Sequence, residues 1–280
     1  AKKDAVLPEF QREYVWSREQ AKQLLVSLTR DYPVGGLLFW RTDEPPELKN
    51  ITKLPEKLGA MHVILDGQQR LTTLFMLIRG EIPPYYTDHD IQNDPRDLYY
   101  NIDTREFEYY SSRMQGNPLW IRVVECFSES VNVFKIAEQV SADGATEAFE
   151  LAQRYQNSLE RLKSIRTMDL PVQLVPSHAG IDDAIDVFDR VNSQGTKLTE
   201  AELALTHITG KWAQARRIIK AKMTEIAEYG FEFDLTFMTR ALTGTVTRRA
   251  LFEFVHDRPE QELKAGWKSL SSILDYLVAL

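Results

Sequence analysis

The chain has 280 residues, with 43% hydrophobic and 27% charged, which is enough ordinary globular sequence to bury a core and excludes a disordered or fibrous class. The formal net charge of −7 argues against a surface coated in basic residues for non-specific nucleic-acid binding, although a local basic groove is compatible with it. Cys126 is the single cysteine, so neither an internal disulfide framework nor a zinc ribbon can form, and a reducing cytoplasm is the expected compartment. Apolar runs such as Gly36 to Trp40 are too short for a membrane span, and the N-terminus carries no secretory signal pattern.

In chain order, Leu7 to Trp16 reads as an extended or turn-like approach rich in aromatics. Ser17 followed by Gln20 forms a capping-box pattern, and Ala21, Leu24, Leu25 and Leu28 recur at the helical period. Tyr32 to Gly36 breaks that helix, and Leu37 to Trp40 is a strand. A proline-bearing excursion over 41–60 leads to a second strand, His62 to Leu65. Asp66-Gly67 is a turn, and a helix follows from Gln69 with Leu71, Leu74, Phe75 and Ile78 on its inward face and Gly80 as its stop. Leu98 to Ile102 and Glu106 to Tyr110, separated by Asp103-Thr104-Arg105, signal a hairpin. Trp120 to Val124 is read as a further strand. A helix over 145–168 carries Phe149, Ala152, Tyr155, Leu159, Leu162 and Ile165 as its apolar face. Leu170 to Val175, marked by Pro171, is expected to return to the first sheet at an edge. Ile181 to Val191 is a helix, and Thr199 with Glu202 opens another by a capping box. The remainder to Leu280 is mostly helical. The fold class is therefore α+β, a small mixed sheet with helices followed by a mostly helical region, with a boundary placed near residue 200.

Three stretches carry the candidate chemistry. In Asp66-Gly67-Gln68-Gln69-Arg70 a helix start would offer amide N–H groups to phosphate, Gly67 would permit close backbone approach, and Arg70 could grip phosphate oxygens bidentately. Gln68 and Gln69 add neutral donors and acceptors, and Asp66 could hold Mg2+ or orient water. The bland alternative is a capped helix, with Asp66 as N-cap and Gln69 completing a capping box. In the second stretch, Gln11 and Arg12 could face a ligand while Phe10, Tyr14 and Trp16 anchor the segment, or the whole could be a packed strand. In the third, Asn192 could bond a nucleotide and Gly195 shape a polar turn, or both could simply end a helix. Lys211, Arg216, Arg217 and Lys220 form a basic stretch that could meet DNA or be solvated helix surface. No P-loop, Gly-x-Gly-x-x-Gly or His-Glu-x-x-His pattern occurs, and the five histidines lack metal-ligand spacing. His256, in Val255-His256-Asp257-Arg258-Pro259, resembles the start of an HNH nuclease motif without its later residues and is read as structural.

Taken together, Pro8 to Trp16, Asp66 to Leu74 and Phe188 to Leu198 resemble, in order, the N-terminal domain of GmrSD-type restriction endonucleases, which is similar to the ParB and sulfiredoxin superfamily. The resemblance spans about residues 7 to 205. It implies a ParB-like nucleotide-binding domain over 1–200 and a helical region over 201–280 that leads to a nuclease domain absent from this chain. It further implies hydrolysis of an NTP with Mg2+, with Asp66, Gly67, Gln68, Gln69 and Arg70 as the site, Gln11 and Arg12 beside it, and Asn192 and Gly195 in the third motif. The implied setting is phage defence: restriction of modified phage DNA through an HNH nuclease domain or subunit, in the cytoplasm, away from membranes, with homo-oligomerisation open. A non-enzymatic DNA-binding sensor and a direct ParB-like nuclease are the competing readings.

Overall fold

The computed structural model describes residues 5–49, 60–128, 131–142, 145–176, 178–192 and 198–279. In chain order its strands are β1 (Ala5–Val6), β2 (Leu37–Thr42), β3 (Met61–Asp66), β4 (Leu98–Asn101), β5 (Phe107–Tyr109), β6 (Trp120–Arg122) and β7 (Val172–Val175). The helices are α1 (Arg18–Thr29), α2 (Gln68–Arg79), α3 (Val123–Phe127), α4 (Val133–Val140), α5 (Ala145–Lys163), α6 (Ile181–Asn192), α7 (Glu200–Lys211), α8 (Ala215–Ala227), α9 (Leu235–Thr247) and α10 (Glu260–Val278). The fold is α+β, as expected. By internal packing the chain divides into two units that interleave in sequence: residues 1–12, 37–66 and 172–280 form the first, 13–36 and 67–171 the second.

The first unit holds a four-stranded mixed sheet in the order β1-β3-β2-β7. β1 runs parallel to β3, β2 antiparallel to β3, and β7 parallel to β2 at the sheet edge, where Pro171 had placed it. The apolar residues of these strands, joined by Phe10 from the turn after β1, face α6: Val6, Leu38, Trp40, Val63 and Leu65 pack with Ala184, Ile185 and Phe188. Phe10 and Phe188 meet edge to face at 5.7 Å, an arrangement favoured by the ring quadrupoles. The same unit continues into α7–α10, whose core gathers Leu205, Ile208, Ile219, Ile226, Met238, Leu242, Phe252 and Leu263. Each such side chain withdrawn from water contributes about 1.5–3 kcal/mol.

Within this helical part His207 stacks on His256, ring centroids 4.0 Å apart and 14° from parallel. Burial, and then His256 itself, push the His207 pKa down to about 4, against the opposing pull of Asp257 and Asp182. An unfolded histidine takes its proton near 6.5. Stability of this unit is therefore fully present above about pH 6.5 and falls as pH drops toward about 4, because the unfolded chain binds the proton first. Urea midpoints at several pH values across that window check this, and His207→Gln should flatten the decline; an unchanged slope in that variant would assign the acid lability elsewhere.

The second unit is built on the antiparallel sheet β5-β4-β6 with α1–α5 around it. The hairpin β4–β5 forms where the aromatics predicted it, Leu98 opposite Tyr109 and Tyr100 opposite Phe107. Trp120–Val124 is strand only to Arg122, after which α3 begins. Helix α1 starts at the Ser17/Gln20 capping box and buries Ala21, Leu24, Leu25 and Leu28. On α5, Ala152, Tyr155, Leu159 and Leu162 are buried, with Ile165 just beyond it, but Phe149 is 58% exposed. The inward face of α2 also differs from expectation. Gln69, Thr72, Thr73, Met76 and Leu77 are buried, while Leu71, Leu74, Phe75 and Ile78 are only half-buried. The polar residues can turn inward because their groups are satisfied there: Thr73 Oγ1 donates to Gln69 O at 2.8 Å and meets the Tyr14 hydroxyl at 2.9 Å. Among the described residues no helix is long and apolar enough to cross a membrane.

Candidate functional site

In the first unit the approach segment ends against β3. Gln11, 3% exposed, donates from Nε2 to Ile64 O at 3.1 Å and Leu65 O at 2.9 Å, which fixes the segment to the end of that strand. The next residue, Arg12, is 8% exposed, and its Nη1 lies 3.8 Å from Glu202 Oε1, beyond hydrogen-bond length. Burial pushes the Arg12 guanidinium below its ordinary pKa, with Glu202 and then Asp66 pulling it back. Asp66 is the last, half-buried residue of β3. Glu202 is itself held: its Oε2 accepts from Thr199 N at 2.8 Å and Thr199 Oγ1 at 3.0 Å in the capping box that opens α7. A buried guanidinium thus sits in the field of two carboxylates, one on a strand end and one at a capped helix start.

In the second unit the chain enters α2 through Gly67, whose φ of 97° is a left-handed conformation that costs glycine little. Gly67, not Asp66, is the N-cap residue, and no side chain caps the helix. The capping-box alternative for Asp66 and Gln69 is therefore set aside. Gln69 is drawn elsewhere: its Oε1 accepts Val15 N at 2.9 Å and Trp16 N at 3.3 Å, and its Nε2 donates to Glu13 O at 3.0 Å. Gln68 Nε2 donates to the Tyr86 hydroxyl at 2.5 Å, and burial raises the pKa of that phenol. Arg70, expected to close over a phosphate, directs its guanidinium inward. Its Nη1 donates to Val34 O and its Nη2 to Gly36 O, both at 2.7 Å, and it is 9% exposed. In this unit the Gln69 and Arg70 side chains brace the segments before and after α1, and Gln68 reaches Tyr86.

Asn192 closes α6, and Gly195 lies outside the described residues. The basic stretch is not a continuous exposed strip. Arg216 is 2% exposed with Nη2 3.4 Å from Phe10 O, and Lys211 is paired with Asp182 at 2.6 Å. Lys220 is half-buried, which leaves Arg217 exposed among the four. Glu202 was legible only as a capping residue. Its nearness to Arg12, 190 positions away, is tertiary and left no local signal.

The family described as GmrSD restriction endonuclease, N-terminal domain, matches residues 1–209. The chain belongs to this family. The GmrSD match covers all the residues of the Arg12, Asp66 and Glu202 cluster and also Gln68, Gln69 and Arg70, and it ends within α7. An uncharacterised protein of Methanocaldococcus jannaschii is 31% identical over 113 residues, covering 36% of this chain. The chain covers 18% of that relative's length.

Proposed function

We propose that this GmrSD N-terminal domain binds and hydrolyses a nucleoside triphosphate with Mg2+ and, within a restriction system acting on modified phage DNA, couples nucleotide state to cleavage by an HNH nuclease domain or subunit. The observation that carries the reading is Arg12, a guanidinium withdrawn from water beside Asp66 and Glu202. The planar fork of such a guanidinium can meet two oxygens of a tetrahedral phosphate bidentately. The phosphate-gripping role expected of Arg70 passes to Arg12, since Arg70 is engaged with backbone carbonyls.

Asp66 would orient the attacking water. Among the described residues no group of three or more His, Cys, Asp or Glu side chains converges. A Mg2+ ion would be held by Asp66 together with the phosphates, and it would neutralise phosphate charge.

The test is phosphate release by the purified chain from each of four NTPs with Mg2+, with and without modified DNA. Asp66→Ala should lower kcat by about two orders of magnitude. Equal release from both proteins would remove the proposal. Salt-dependent DNA binding without turnover would favour a sensor, and plasmid nicking lost in Asp66→Ala would favour a nuclease.

A further inference from the structure

The second unit contains a cavity of about 340 Å³ lined by Arg18, Arg96, Arg122, Asp94 and Asp97, with Gly80 and Val124. That volume lies in the range of small-ligand sites. Three arginines against two aspartates leave its wall with a net positive charge of one.

The five charges are not equally committed. Asp94 is spent on Arg96: its Oδ1 accepts from Arg96 N at 2.9 Å and Nε at 3.0 Å, and its Oδ2 from Nη2 at 2.6 Å. Arg96 Nη1 also donates to Gly80 O at 3.2 Å. Arg18 lies over the Tyr109 ring at 5.2 Å, while the Tyr109 hydroxyl donates to Arg18 O at 2.7 Å; its exposed guanidinium feels the charge of Asp94 but makes no salt bridge among the described residues. Arg122 donates from Nη2 to Arg96 O at 3.3 Å. Among the described residues its Nε has no hydrogen-bond acceptor and stands 3.9 Å from Asp97 Oδ1, on a side chain that is 41% exposed overall. That N–H is shielded while the rest of the side chain reaches solvent, and Asp97, 49% exposed, is too far to accept from it, so an anion entering the cavity can.

We propose that this pocket binds a phosphate group, with Arg122 and Arg18 as its ligands and Asp97 as the internal anion it displaces. Arg96, fixed by Asp94, positions Arg122 through its carbonyl. The group belongs either to a nucleotide polyphosphate or to a DNA backbone, and both present the tetrahedral anion that a guanidinium fork matches. The site shares no residue with the Asp66–Arg70 motif or with Arg12, so it stands whether or not the domain turns over NTP.

The probe is inorganic pyrophosphate, titrated calorimetrically into the full chain carrying Arg12→Gln, so that the first site is weakened independently. Saturable binding is expected. Arg122→Gln and Arg18→Gln should each weaken it by about tenfold, whereas Asp97→Asn, which removes the competing anion, should tighten it several-fold. Opposite signs on one cavity wall cannot come from general unfolding, because a folding defect moves every variant the same way. Displacement of pyrophosphate by a short DNA duplex assigns the group to the DNA backbone, and displacement by ATP alone assigns it to a nucleotide. Absence of binding, binding indifferent to Arg122 and Asp97, or retention of Mn2+ alone through Asp97 overturns the proposal.

Discussion

Arg70→Ala is expected to destabilise the second unit by about 3 kcal/mol or more, measured by urea denaturation, before any activity is considered. The side chain makes two charge-assisted hydrogen bonds at 2.7 Å, to Val34 O and Gly36 O, on either side of Gly35. Each such bond is worth about 1.5–3 kcal/mol, and truncation leaves both carbonyls to find new partners in a site that is 9% exposed. Gly35 shows how closely the guanidinium is seated. It has φ of 80°, and a Cβ placed there would stand 2.8 Å from Arg70 Nη1. Gly35→Ala should therefore be destabilising for two reasons, a strained left-handed backbone and a displaced guanidinium. Arg70→Lys keeps the charge but cannot span both carbonyls, so it should recover only part of the loss. A wild-type denaturation midpoint for Arg70→Ala would return Arg70 to the phosphate-binding role.

The contrast between Arg70 and the helix starts shows what local sequence can reveal. The Ser17/Gln20 and Thr199/Glu202 capping boxes were readable because donor and acceptor are three residues apart and the chemistry is complete within one turn. The hairpin of β4 and β5 and the edge position of β7 were readable for the same reason: turn residues and Pro171 act on their neighbours. Arg70 and Gln69 act across 34 to 56 positions, on backbone carbonyls and amides that no side-chain pattern marks. The inward face of α2 departs from its apolar periodicity for a related cause. Periodicity ranks Leu above Thr, but Thr72 and Thr73 are small, and the hydroxyl of Thr73 finds partners, so a polar stripe is buried at little cost. The interleaved units follow from strands that leave and return to one sheet, a property of topology rather than of composition.

Arg12→Gln is expected to cut NTP turnover by about two orders of magnitude, and Glu202→Gln by about one, with the double variant no slower than Arg12→Gln alone. The argument rests on what each substitution spares. Glutamine serves in a capping box as well as glutamate, so Glu202→Gln can keep its bond from Thr199 and preserve the start of α7. It removes only the charge that faces Arg12 across 3.8 Å. If Glu202 acts by holding Arg12 in place, its loss matters only while the guanidinium is present, and the two effects are non-additive. If Glu202 contributes merely to folding, the losses multiply and the denaturation midpoint falls in step with activity. Steady-state kinetics on the four proteins, with urea midpoints beside them, separates the cases. Multiplicative losses in kcat would end the positioning role of Glu202, and full turnover in Arg12→Gln would remove the guanidinium from the chemistry altogether.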